Sequence, residues 1–545
     1  MKMKKAKLLI VLAVVLALGV SLFAGCAKGG GAGQTIKYNL GAEPATIDPQ
    51  LNSAVDGATV IVNTFDGLTR LDASDKPVAA MAEKWEVSAD GLTYKFFLRK
   101  DAKWTDGQPV KAQDFVYAWQ RAVDPATASE YAYQVWYVKN GQAISEGKMA
   151  VDQLGVKAID DTTLEVTLEA PTAYFLSLTA FPTYMPVRKD VVEKDPQGWA
   201  TKPETYVSNG PFKLKEWRPK DAIVLEKNPN WYNADKVKFS TIEMKMIEDQ
   251  TSSLAAFKSG QLDYIESPPS AEIPNLLASG DAKIFPYLGT YFYIFNLSPN
   301  AAKVDPAAAK AISDVRVRKA FALAIDRKAI VENVTKGGQL TATSFVPNGI
   351  PDADGSDFKK KDYYPAEGNV EEAKKLLAEA GYPDGKGFPK ITLMYNTSQG
   401  HQAIAMAMQD MLKKNLGVEV ELANQEWKVF QKTRNDKNYI FARHGWIADY
   451  VDPMTFLDMW ITNGGQNNIG YSNPEYDKRI EAAKKEADPA KRMQLLHEAE
   501  DILMNDMPLI PIYYYTNVAC IKPYVKDVHK SALGFVYFEY GYIEK

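Results

Sequence analysis

At 545 residues the chain exceeds what a single hydrophobic core can organise, so two or three domains are expected. Its 46% hydrophobic and 24% charged residues describe an ordinary folded protein, and a net charge of −4 gives no basis for binding nucleic acid. Two cysteines, Cys26 and Cys520, provide no disulfide framework, while 29 tyrosines and 10 tryptophans suit a protein that covers ligands with large amphipathic side chains.

Lys2, Lys4, Lys5 and Lys7 precede an apolar run from Leu8 to Leu22, followed by Phe23-Ala24-Gly25-Cys26. This is the pattern of a charged segment, a hydrophobic segment and small residues before a cleavage point. A cysteine directly after Ala-Gly resembles a bacterial lipobox, which implies that residues 1–25 are a lipoprotein signal peptide and that Cys26 carries lipid. The alternative, an uncleaved anchor, has an apolar run short for a membrane span. Residues 26–35 are Gly-rich, without apolar periodicity, and are expected to form a flexible tether. No later stretch is long and apolar enough to cross a bilayer.

A strand is expected at 36–40, and Pro44 and Pro49 exclude a helix after it. A turn at Asp90-Gly91 introduces a strand at 92–98, a helix covers 114–121, and a second strand covers 164–168. Residues 65–187 read as one α+β unit. Farther on, 212–214 and 223–227 form a hairpin, Gly260 stops a helix, and 289–296 is an aromatic strand. Asn369 caps a helix over 370–380 that Gly381 and Pro383 end. Strands at 391–395 and 418–422 flank a helix at 401–415, an order that predicts βαβ units and a largely parallel sheet. A last helix at 492–505 leads to a strand at 508–515.

The strand at 439–442 runs into Arg443-His444-Gly445-Trp446-Ile447-Ala448-Asp449. Alternation in an extended segment puts Arg443, Gly445, Ile447 and Asp449 on one face. Six residues at about 3.3 Å span roughly 20 Å, and side chains reaching inward leave on the order of 10 Å between opposite charges, the length of an extended tripeptide. The same spacing fits a strand with two solvated or internally paired charges. Enzyme motifs are missing: there is no G-x-S-x-G, no H-E-x-x-H, no cysteine pair at zinc spacing and no phosphate loop, and the four histidines are scattered. No cofactor, metal or catalytic residue is assigned, although a hydrolase without a recognisable motif is not distinguished by this alone.

The run NQEWK (424–428), with Phe430, Thr433-Arg434 and Ala442-Arg443-x-Gly445-Trp446-x-Ala448-Asp449-Tyr450-x-x-Pro453-x-x-Phe456, resembles the oligopeptide-binding proteins of bacterial ABC peptide importers. DFVYAWQRAVDP (114–125), LGVKAIDDTTLEVTLEAP (154–171), DVRVRKAFALAIDR (314–327) and EEAKKLLAEAGY (371–382) extend the likeness over nearly the whole chain. The resemblance implies an α/β periplasmic-binding-protein fold with two lobes and an extra domain, hinged to close over ligand. Domain I would comprise 36–64, 188–290 and 515–545, domain II 65–187 and domain III 291–514, with crossovers near Thr290 and Tyr514.

It further implies that Asp449 receives a peptide amino group and that Arg443 and His401 receive the carboxylate. The family's lysine for longer peptides aligns with Thr335, leaving neighbouring Lys336 as the candidate substitute for that carboxylate contact. Ser53, Ala54, Val55, Gly445, Trp446 and Ile447 would pair with the peptide backbone, and Trp427, Tyr131 and Tyr514 would line pockets. The expected product is a monomeric, lipid-anchored, extracytoplasmic binding protein that passes oligopeptides of about 2–5 residues to a permease with low sequence selectivity. Within the superfamily the rivals are receptors for dipeptides, nickel chelates, haem or oligosaccharides; outside transport, a cell-surface peptide sensor or chaperone.

Overall fold

The computed structural model describes residues 33–544, so the signal segment, Cys26 and the tether as far as residue 32 lie outside the described residues. Among the described residues no helix is long and apolar enough to cross a membrane. Strand β1 (Gln34–Asn39) begins at the end of the expected tether and leads to helix α1 (Val55–Thr64). Then come β2 (Ala82–Val87), β3 (Thr93–Leu98), helix α2 (Ala112–Val123), β4 (Val156–Asp160) and β5 (Thr163–Thr167). These four strands form a separate antiparallel sheet in the order β2-β3-β5-β4. Helix α2 runs beyond the expected 114–121 at both ends, because Phe115, Val116, Ala118, Trp119, Ala122 and Val123 recur at helical spacing and are all buried. The Asp114 carboxylate accepts from the Lys111 backbone N–H at 2.9 Å and closes its first turn.

The chain continues through β6 (Phe212–Arg218), β7 (Ala222–Lys227), β8 (Phe239–Lys245), α3 (Gln250–Lys258), β9 (Tyr264–Glu266) and the 14-residue β10 (Ala282–Phe295). After α4 (Val370–Glu379) come β11 (Ile391–Asn396), α5 (Gln399–Leu416), β12 (Val420–Gln425), α6 (Trp427–Asn435), β13 (Phe441–Ile447), α7 (Pro489–Asp506) and β14 (Leu509–Ile521). The Asn369 side chain accepts from the Glu372 N–H at the start of α4, and Gly381 takes φ 97° after its end, as the capping residues require.

Among the described residues the main sheet has eleven strands, ten of them in the order β12-β11-β13-β10-β14-β9-β1-β8-β7-β6. The expected βαβ unit is present, with β11 and β12 pairing in parallel across α5, but the sheet as a whole is mixed rather than largely parallel. β11 pairs in parallel with β12 and with β13, and β1 with β9, while the C-terminal ends of β1 and β8 lie together, the Leu40 N–H donating to the Lys245 carbonyl at 2.7 Å. Parallel pairing needs a crossover, which α5 and α6 supply; the β6–β7 hairpin closes through a short turn and can only be antiparallel. Antiparallel too are the two long strands β10 and β14, whose register runs from Ala282 opposite Cys520 to Ile294 opposite Leu509. Thr290 faces Tyr514 in that ladder, and the register shifts between Pro286 and Thr290 and again between Tyr291 and Phe292. Most buried apolar side chains form one continuous core, with a smaller cluster of α3 and β9 around Phe257, Ile265 and the buried free Cys520.

Candidate functional site

Strand β13 builds one wall of the site. On one side it pairs with β10 along its whole length, from Phe295 opposite Phe441 to Gly289 opposite Ile447. On the other it pairs with β11 only at Phe441 and Ala442. From Arg443 to Ile447 that second edge carries no strand among the described residues, and it faces a cavity of about 420 Å³. A volume of this size is typical of small-ligand sites.

The cavity brings together segments far apart in sequence. Asp449, Arg443, His401, Ser53, Ala54, Val55, Gly445, Trp446, Ile447, Trp427 and Tyr131 all lie in its wall. Asp449 is 8% exposed; its Oδ1 accepts from the Tyr131 hydroxyl at 3.1 Å and its Oδ2 from Gln134 Nε2 at 2.7 Å. Its own N–H donates to Thr455 Oγ1 at 3.0 Å, which turns the chain just past β13. Burial pushes the Asp449 carboxyl well above the usual carboxylate range, the three hydrogen bonds counter this, and Asp458 adds to it. Among the described residues no cation stands within ion-pair distance of Asp449, whereas Asp458 has Lys484 at 3.5 Å.

Arg443 is also free of any carboxylate partner among the described residues. Its Nη2 donates to the Tyr515 hydroxyl at 2.8 Å and its Nη1 to Asn396 Oδ1 at 3.3 Å, and its guanidinium lies 4.8 Å from the centre of the Tyr291 ring. Among the described residues its buried Nε has no hydrogen-bond partner. His401 sits in the first turn of α5, whose cap is Ser398, and its Nδ1 lies 3.2 Å from the Tyr291 hydroxyl. Burial, and after it the Arg443 charge, holds this imidazole well below its ordinary pKa, so the ring is neutral near pH 7.

Two expected site residues lie elsewhere. Tyr514 turns away from the cavity: its hydroxyl is 2.6 Å from Ser344 Oγ and accepts from the Ser344 N–H at 3.2 Å. Its neighbour Tyr515 lines the cavity instead, because successive strand residues point to opposite faces. Lys336 is exposed at the end of a π-helical turn, with φ 56°, and does not belong to the cavity wall. The wall also contains residues that sequence reasoning passed over: Tyr515, Asp56, Gln431 and Arg434. Asp56 Oδ2 accepts from Trp427 Nε1 at 2.9 Å, joining α1 to α6, and burial raises its carboxyl to about 6. Trp427, Gln431 and Arg434 recur at i, i+4 and i+7 on α6; helical phase from Trp427 was the available signal. Among the described residues no group of His, Cys, Asp or Glu could hold a metal ion.

Comparison with known proteins is consistent along the whole molecule. Residues 76–468 match the family model described as bacterial extracellular solute-binding proteins, family 5 Middle. The chain is 41% identical to the oligopeptide-binding protein OppA of Bacillus subtilis over 520 residues, covering 94% of this chain and 93% of that one. It superposes with a TM-score of 0.87 on Haemophilus influenzae OppA in complex with RPPGFSPFR, at 35% identity over 94% of this chain and 100% of that one. For the Escherichia coli murein tripeptide binding protein MppA the TM-score is 0.87 at 36% identity, over 94% and 99% of the two chains. Against MppA in its unliganded open form it falls to 0.62 at 35% identity, with 94% and 98% covered. The chain belongs to the bacterial extracellular solute-binding proteins, family 5.

Proposed function

We propose that this chain captures short peptides outside the cell and delivers them to the membrane permease of an ABC importer, without catalysing a reaction on them. One observation carries the reading: Arg443 and Asp449, opposite charges without ion partners among the described residues, flank an open strand edge on one cavity wall. A zwitterion satisfies both ends. Its ammonium replaces the missing cation at Asp449, and its carboxylate is forked by the planar guanidinium of Arg443. A peptide so placed runs antiparallel to β13 and adds a strand there, with Gly445, Trp446 and Ile447 pairing its backbone and Ser53, Ala54 and Val55 closing over it. Main-chain pairing treats all sequences alike, which gives low selectivity. With Tyr291 donating to His401 Nδ1, the His401 proton sits on Nε2, ready for the carboxylate of a longer peptide.

Three lobes with the boundaries given above fit this role, and β10 and β14 are the natural hinge because their register is interrupted between Pro286 and Thr290. The closer fit to peptide-complexed OppA than to open MppA suits a closed arrangement. Small-angle scattering would then give a larger radius of gyration for peptide-stripped protein than for protein saturated with peptide. Lipidation at Cys26 would hold the protein at the membrane, and Cys26→Ala should abolish fatty-acid labelling and release it. The test of function is mass spectrometry of ligands carried through native purification. A population of peptides of about 2–5 residues with varied sequences supports the reading; a nickel chelate, haem, an oligosaccharide or no ligand after saturation with peptides overturns it.

A further inference from the structure

Beyond Arg443 a line of contacts runs from one of the two long strands to the other. Ser267, just past β9, donates its N–H to the Val518 carbonyl of β14 at 2.8 Å. The Ser267 carbonyl accepts from Gln250 Nε2 at 2.6 Å, and Gln250 Oε1 accepts from the Gly400 N–H at 3.0 Å. His401 follows, with its Nδ1 3.2 Å from the Tyr291 hydroxyl of β10. Since β10 and β14 are laddered together, the line closes into a ring at this end of the cavity. Gln250, Ser267 and His401 belong to the cavity wall, as do Tyr515 and Asn517 of β14. Gln250 is the half-buried joint between the start of α3 and the start of α5. Exposed Gln399 reinforces that joint: its Nε2 donates to Asp249 Oδ2 at 3.1 Å, and both its amide atoms lie 3.2 Å from Thr251 Oγ1. Asp249 is already held as the cap of α3, its Oδ1 accepting from the Ser252 N–H at 2.7 Å.

We propose that this clasp, in which Gln250 and Gln399 join the starts of α3 and α5, sets the length of peptide that the protein accepts. This rests on the peptide reading of the cavity, with the amino group at Asp449 and the chain running toward His401. By the lobe boundaries given above, residues 249–251 and 399–400 belong to different lobes, so the clasp forms as the lobes close and parts as they open. The rest of the ring is main chain, strand ladder and a contact within one lobe, and it stays intact. A peptide whose carboxylate stops at Arg443 or His401 ends inside the ring, and the clasp shuts behind it. A longer peptide has to pass through the ring, which displaces Gln250 and Gln399 and forfeits their hydrogen bonds. Bonds so open to water each contribute little, so their joint loss penalises long peptides by about tenfold and does not exclude them. Length preference then comes from a contact between lobes, independent of the peptide's side chains.

Calorimetry on peptide-stripped protein tests this with Ala-Ala-Ala, Ala-Gly-Ala-Gly-Ala and an octapeptide of the same alternation. The wild type should bind the octapeptide about tenfold more weakly than the pentapeptide. The double variant Gln250→Ala, Gln399→Ala should narrow that gap to about threefold or less, because short peptides lose the contribution of the clasp and the octapeptide has none to lose. Gln399→Ala alone, a change at an exposed side chain, should narrow it part of the way, and thermal melts identify any variant that fails to fold. Equal affinity of the wild type for pentapeptide and octapeptide overturns the proposal. So does a gap that persists in both variants, whether they weaken all three peptides by one factor or leave them unchanged. Either result leaves the peptide reading standing as long as Ala-Ala-Ala binds. Failure of all three peptides to bind the wild type overturns the peptide reading and the length limit with it.

Discussion

The Tyr131 hydroxyl donates to Asp449 Oδ1 at 3.1 Å, joining positions 318 residues apart in the chain. With Gln134 it fixes a carboxyl that burial pushes well above the usual carboxylate range, favouring its neutral form. A ligand ammonium reverses that preference, since an opposite charge stabilises the ionised form. Peptide binding should therefore release a proton, and affinity should rise with pH until the free-state titration of Asp449 is complete. Calorimetry in buffers of different ionisation enthalpy measures the proton count, and Asp449→Asn should remove this contribution.

The two adjacent tyrosines of β14 should separate cleanly. Tyr515→Phe removes the hydroxyl that Arg443 Nη2 donates to at 2.8 Å and should weaken peptide binding by about 1 kcal/mol. Tyr514→Phe removes the Ser344 contact at 2.6 Å on the other face and should lower thermal stability by a similar amount while leaving affinity unchanged. Paired titrations and melts check both.

Glu500 of α7 is buried and accepts from the Val346 and Phe345 N–H groups at 2.8 and 3.0 Å. Burial raises its carboxyl to about 7. Because the folded value lies above the unfolded one, near 4.3, the folded state binds more protons between the two, and stability falls as pH rises through that window. The effect is on the order of 3 kcal/mol by pH 7. Glu500→Gln keeps an accepting oxygen and should flatten the pH dependence of the melting temperature between pH 5 and 7.

Local features were legible in the sequence where one short-range cause dominates. The Asn369 cap, the Gly381 stop and the burial spacing of α2 are each decided within a few residues. The parallel pairing of β11 and β12 was legible from the helix between them, whereas the direction of β10 and β14 was not, because their partners are distant in sequence and nothing local records which way those run. Of the candidate site, Arg443, His401 and Asp449 were named from their family context, and the cavity holds all three. The error at Tyr514 is one of strand parity, where a one-residue offset exchanges faces. Arg434 stood within a recognised motif, yet its lack of a carboxylate partner is a property of the folded chain and has no signature in sequence.

The most direct test of the account is calorimetry of wild type and Asp449→Asn with a tripeptide and a pentapeptide, each with a free and an acetylated amino group. If Asp449 receives the ammonium, acetylation should weaken binding to the wild type, and Asp449→Asn should cost free peptides about 2–5 kcal/mol. Acetylated peptides, which bring neither the charge nor its donors, should lose much less, so the two losses do not add. Equal weakening of free and acetylated forms by Asp449→Asn would make Asp449 a structural acid and contradict the account.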